Sequence, residues 1–385
     1  MGAEALTTNT TAEGNVAIGF RALRYNTTGG DNVAIGEAAL EDNTTGTLNT
    51  AVGFRALATN ITTDNCTGIG YAALENSVAA NNTAVGTYSL VANTTGTSNT
   101  AVGKSAGAAL TTGSWNTAVG QIALTALTTG DSNTAVGQEA LDSVIGGSYN
   151  TSVGRSSGTG VTGGNRNTFM GYLAGSAVST GSGNVAIGDQ AMEVQNTASS
   201  NTAVGVQSLE GNYGSSNTAV GGEALRFNTT ASNQTAVGSG ALSSNTTGGN
   251  NQAFGNSAMF YNTTGINNTA VGKEALAVNT TGGYNVAIGM TALSATNGNS
   301  STAVGYDALK LSTGWGNIGI GASAGAVITS GIGNTIIGSE SNASGTGAAG
   351  QVVIGRSVTA TADNAVHIGS NVAHIRCDFG SDDEW

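Results

Sequence analysis

The chain has 385 residues, 61 of them Gly and none Pro, with only 9% charged and 5% aromatic residues, so its usage lies far from that of an ordinary globular enzyme. Eleven Lys and Arg stand against 23 Asp and Glu, a net charge of −12, which repels nucleic acid rather than attracting it. Hydrophobic residues make up 39%, too many for a disordered chain, and the expectation is a soluble fold without membrane insertion. No run of about 18 apolar residues is present. The opening Met1-Gly2-Ala3-Glu4 lacks the basic and apolar segments of an export signal. Cys66 and Cys377 form no paired-spacing motif and read as incidental thiols.

From its first residues the chain is periodic. The pentapeptide Asn-Thr/Val-Ala-Val/Ile-Gly sets an anchor glycine at Gly19, and 22 anchors follow one another to Gly369, with 16 intervals of 17 residues, four of 16 and a last one of 14. Such regularity specifies a solenoid with one repeat per rung. At roughly 4.8 Å between strands, 21 steps would give a rod of about 100 Å. The six or so residues between anchor and turn are too few for a stable helix, and the lack of Pro suits a ladder in which nearly every N–H donates to the next rung.

Within a unit such as Asn49-Thr50-Ala51-Val52-Gly53, strict alternation places Thr50 and Val52 on one face and Asn49 and Ala51 on the other. The expectation is that the Val/Ile face joins Leu23, Leu40, Leu57 and their equivalents inside the coil, and that Asn-Thr-Thr-Gly at Asn26, Asn43 and Asn93 forms a corner in which Gly supplies positive φ. The Ala column then faces away from that interior. Ala17, Ala34, Ala51, Ala84, Ala101, Ala118, Ala135, Ala186, Ala203, Ala219, Ala236, Ala270, Ala287 and Ala303 are accordingly expected to line a trimer axis along which three copies pack.

Asn15-Val16-Ala17-Ile18-Gly19, Asn32-Val33-Ala34-Ile35-Gly36, Asn184-Val185-Ala186-Ile187-Gly188 and Asn285-Val286-Ala287-Ile288-Gly289 resemble the head repeats of trimeric autotransporter adhesins, left-handed parallel β-rolls. The longer 17-residue unit with Ala-Leu and Asn-Thr-Thr-Gly is similar to bacteriophage tail fibre shafts. The tail from His374 to Trp385 resembles the segment just ahead of a self-cleaving intramolecular chaperone. The resemblance implies an all-β, homotrimeric β-roll shaft over 1–340 with a transition and tip over 341–385. It also implies a structural and adhesive role on a virion tail, or on a bacterial surface if the adhesin head is the better parallel. Implied partners are further copies of the chain, a host-cell glycan or protein, and other tail proteins through a region preceding Gly2, which begins in mid-repeat.

Chemistry is sparse. The acids are scattered, Glu139, Glu223 and Glu274 falling two past an anchor on a solvated face, and no phosphate loop, calcium repeat or nucleophilic triad is found. The expectation is a non-enzyme without cofactor. His367 occupies the Ala phase, where three copies would hold a metal only if they met on the axis; the alternative is a register change turning it outward. Phe20, Phe54, Tyr71, Tyr172 and Tyr306 recur one past the anchor, and Trp115, Tyr149 and Tyr284 five before it, either stacking rung on rung or exposed to sugars. The resemblance to fibres implies receptor contact at the end of the chain, with Asp378, Phe379, Asp382, Asp383 and Trp385 as its candidates. An ice-binding solenoid, suggested by the Thr column at Thr50, Thr83, Thr100 and Thr117, is set aside because that Thr would share the buried Val face.

Overall fold

The computed structural model describes residues 2–194, 197–370 and 374–378. The chain divides into two units, Met1–Ser200 and Asn201–Trp385. In the first, strands β1 (Val16–Ile18) to β11 (Val185–Ile187) are three residues each; in the second, β12 (Thr202–Val204) to β20 (Thr335–Ile337) keep that length, and β21 (Val352–Arg356) and β22 (Ala365–Ser370) are longer. Within each unit successive strands pair in parallel with equivalent residues opposed, as Ala101 opposes Ala118 and Ala270 opposes Ala287. Among the described residues, direction reverses only at β23 (His374–Asp378), antiparallel to β22. This is the parallel β-solenoid expected from the period, one repeat per turn.

The two strand faces are as expected, but their roles are reversed. Ala17, Ala34, Ala51, Ala84, Ala101, Ala118, Ala135, Ala186, Ala203, Ala219, Ala236, Ala270, Ala287 and Ala303 are all buried inside the chain's own coil, together with Leu23, Leu40, Leu57 and Leu74. Val and Ile lie outside, with Ile18, Ile35, Val102, Val220 and Ile288 exposed. The Ala column therefore packs no trimer axis. Each narrow turn must enclose a Leu and one or two Asn side chains, and only a small residue fits opposite them.

The exceptions show how tight that space is. Phe169 is fully buried at the Ala position, where the turns on either side carry Gly158 and Gly175 in place of the usual inward Leu. A Cβ on Gly175 would lie 2.4 Å from the Phe169 ring, and one on Gly158 2.9 Å. Large and small have exchanged places at constant volume. Ile336 is likewise buried beneath Gly325.

Rungs are joined by buried amides. Asn32 donates from Nδ2 to the carbonyl of Gly46 in the next turn (2.8 Å), and its Oδ1 accepts the N–H of Asn49 (3.0 Å). The same suture recurs at Asn99, Asn133, Asn251 and Asn268. A second ladder runs through the corner, where Asn43 Nδ2 donates to Gly46 O (3.0 Å) and to Asn26 Oδ1 (2.7 Å). In the turns at Leu110, Leu127, Val144, Val161 and Val178, buried apolar side chains replace this second ladder.

The corners differ from the expectation in one respect. Gly46 does not adopt positive φ; it is needed because a Cβ there would lie 2.4 Å from Asn43 Oδ1 and 2.5 Å from the Thr63 carbonyl. Left-handed backbone falls instead two and four past the anchor and five before it, at Arg55, Leu57 and Asn65 in one turn. The anchor itself combines both demands: Gly53 has φ 132°, and a Cβ would come within 2.4 Å of the Gly70 carbonyl.

Phe169→Ala should leave a cavity and destabilise the first unit by about 3–5 kcal/mol. Adding Gly175→Leu should recover more than half of that loss, because Leu57 and Leu74 already occupy the equivalent left-handed position. A double-mutant cycle by urea unfolding checks this, and additive losses would contradict the exchange of volume.

Candidate binding surface

With Ala inside, the outward face of each strand presents two ranks. In the first unit the rank one before the anchor runs Ile18, Ile35, Val52, Ile69, Val85, Val102, Val119, Val136, Val153, Met170 and Ile187, one residue from each of β1 to β11. Two residues earlier, Thr50, Thr67, Thr83, Thr100, Thr117, Thr134, Thr151 and Thr168 form a half-buried rank beside it. The second unit repeats both, with Val220, Val271, Ile288 and Ile320 beside Thr218, Thr235, Thr269 and Thr302. Thr is thus not hidden with a core Val. Both stand outward, about 4.8 Å from their counterparts in the next rung. Monomeric proteins rarely expose contiguous apolar patches above a few hundred Å², and an apolar rank unbroken over eleven rungs, Val or Ile at all but Met170, stands apart from the usual scatter of surface apolar groups.

The aromatic columns behave differently from each other. One past the anchor, Phe54 stacks on Tyr71 (5.0 Å, 17°), and Tyr71 meets Tyr88, two past the next anchor, edge-on (5.3 Å), so these rings pack rung on rung. The neighbouring Tyr88 is the main influence holding the exposed Tyr71 hydroxyl above its usual pKa. Arg21 lies over Phe20 at 4.7 Å and Arg155 over Tyr172 at 5.9 Å. Five before the anchor, Trp115, Tyr149 and Tyr284 are much more exposed, at 64%, 59% and 60%, and all three have positive φ. Trp315, 60% exposed, and Arg166, whose guanidinium lies 5.7 Å from the Tyr149 ring, belong to the same corner and were not singled out from the sequence. Their signal was available. Leu48 apart, that position in the first six turns carries Gly14, Asp31, Asn65, Asn81 and Ser98, types that tolerate left-handed backbone, and Trp and Tyr stand out against them.

Glu139, Glu223 and Glu274 lie at the half-exposed corner two past the anchor, as expected. Glu139 accepts a bond from Ser156 (2.9 Å), and Glu223 and Glu274 pair with Arg226 and Lys273. A shallow cleft between Phe260, Tyr261 and Glu274 is lined by the edge-on pair Phe260–Tyr261 (4.8 Å).

His367 is fully buried in the Ala phase of β22, opposite Val353. Because that phase lies inside the coil, three copies of His367 do not meet on an axis, and the side chain has not turned outward either. Among the described residues no group of three or more His, Cys, Asp or Glu is placed to hold a metal. Asp378 closes β23, and Phe379, Asp382, Asp383 and Trp385 lie outside the described residues.

Cys66 takes an Asn position in the first ladder. Its N–H donates to Asn49 Oδ1 (2.9 Å) and its thiol to the Ala79 carbonyl (3.2 Å), the thiol standing in for an amide. Burial is the largest influence on it and raises its pKa, opposed by backbone hydrogen bonds. Comparison with known protein families and with curated protein sequences finds no match to this chain.

In a Cys377→Ser background, Cys66 should react with a disulfide reagent at pH 8 at least about a hundredfold more slowly in the folded protein than in urea. Equal rates would show that the turn around Asn49 and Asn82 is open.

Proposed function

We propose that the chain is the shaft of a self-associating fibre with a structural and adhesive role. Three copies would run in parallel and in register, their Val/Ile ranks meeting along a common axis. The observation that carries this reading is the unbroken outward apolar rank. Its period is that of the rung itself, so the surface best matched to it is another copy of the same chain. Three copies, rather than two, is the number implied by the resemblance to trimeric adhesin heads and tail fibre shafts. The reading places the contact on the face opposite to the Ala column. Rigidity comes from the buried amide ladders, and repetition around the axis would turn weak single contacts with a cell surface into avid attachment. A virion tail fibre is the preferred setting and a bacterial adhesin head the alternative. No catalytic role is proposed.

A second reading gains from the structure. The Thr rank stands outward beside Val in a regular grid, the sort of half-apolar array that orders water, so an ice-binding solenoid is no longer set aside on the ground that Thr is hidden. It would use the face as a free surface, whereas the fibre would cover it.

Light scattering of the native protein should give three times the 37.6 kDa chain mass. Val102→Glu, which places an unpaired charge in the outward rank without entering the coil, should shift that mass toward the single chain. A wild-type monomer would overturn the fibre reading. Thermal hysteresis in a monomeric sample would select the ice-binding one, and its absence would dismiss it.

A further inference from the structure

Trp115, Tyr149 and Arg166 occupy a corner position in which, Leu48 and Tyr284 apart, the chain places Asp, Asn, Ser or Gly. Bulky side chains at φ near 60° strain the backbone, and here that strain is matched by no burial, since Trp115 and Tyr149 are 64% and 59% exposed. The Arg166 guanidinium lies 5.7 Å from the Tyr149 ring, but local conformation and inward burial account for none of the three. Their positions are nevertheless well defined. The N–H groups of Trp115, Ser132, Tyr149 and Arg166 donate to Thr97, Ser114, Asp131 and Ser148 in the preceding turn at 3.0–3.1 Å, which aligns the four along one edge.

The two rings stand two turns apart, about 9.6 Å at the rung spacing, with the small Ser132 between them. Alongside runs a fixed polar rank. Ser114 N–H donates to Asp131 Oδ1 (2.7 Å), Asp131 N–H to Ser148 Oγ (3.0 Å) and Ser148 N–H to Asn165 Oδ1 (2.8 Å), so carboxylate and hydroxyl groups are fixed in the rank one residue before the rings. The second unit carries a looser counterpart, with Tyr284 at the same position and Trp315, two turns on, one residue earlier in the phase of the polar rank, each 60% exposed.

We propose that each pair is a platform for a neutral β-1,4-linked polysaccharide. In an extended chain of this kind every second sugar presents the same face, at a spacing close to that of the rings. The apolar C–H face of a pyranose suits an aromatic ring, and its hydroxyl edge suits the adjoining polar rank. The net charge of −12 disfavours a polyanionic glycan. The platform is built within one chain, so it does not rest on the trimer.

The test uses the full chain. Co-sedimentation with cellulose and with chitin suspensions compares the wild type with W115S/Y149S/Y284S/W315S, in which three of the four Ser residues enter left-handed positions of the kind already occupied by Ser98 and Ser132. Retention on at least one of the two polysaccharides should fall by about tenfold or more in the variant, with native mass unchanged. Failure of the wild type to bind either one, or equal retention of both proteins, would overturn the proposal. So would a change of native mass on substitution, which would assign the rings to contacts between chains. A wild-type monomer that loses sugar binding on substitution would sink the fibre and leave the platform standing.

Discussion

The structure depends on the buried asparagine amide. A side chain such as Asn32, with no water within reach, must satisfy two donors and an acceptor inside a narrow turn, and its partners are supplied by the turn that follows. A rung is therefore complete only when the next rung copies it. This accounts for the near-constant 17-residue period better than the hydrophobic contacts do, because Leu and Ala would tolerate slippage whereas an orphaned buried amide would not. Substitutions within the ladder keep the same capacity: Cys66, Gln234 and Ser301 each retain a group that bonds to a neighbouring rung.

The same narrowness decides which residues face outward. With Asn and Leu inside, the remaining volume accepts a methyl group, and the β-branched residues that favour a strand are displaced to the outer surface. An apolar outer face is thus a consequence of a polar interior. A solenoid of this width cannot hide both its Val/Ile rank and its Asn ladder, and covering the former requires something beyond the coil. The self-association proposed above has its physical origin there. At Phe169 the interior admits a larger ring only where two flanking turns have given up their Leu, a local exchange that leaves the period undisturbed.

The corners impose a third constraint. Three left-handed residues per turn are borne by ordinary side chains such as Leu57 and Arg55, at a conformational cost offset by inward burial of Leu and by the ladder. Where an aromatic ring takes such a position on the outside, as at Trp115 and Tyr149, the offset from inward burial is absent. Those are the places where local and global preferences part, and where a ligand is most reasonably sought.

Much was legible in the residues themselves. The period, the parallel one-rung-per-repeat solenoid, the two alternating strand faces, the inward Leu and the Asn-closed corner all follow from spacing and residue type, because each is a local regularity repeated some twenty times. Alternation could separate Thr50 and Val52 from Asn49 and Ala51, but it could not say which pair was inside. Hydropathy favoured Val, and the coil chose Ala and Asn, since the available cross-section and the need to pair buried amides are properties of the closed turn. The fate of Ala51, of His367 and of the Thr rank turned on that one decision. Only the folded coil could make it, because inside and outside do not exist until a turn has closed.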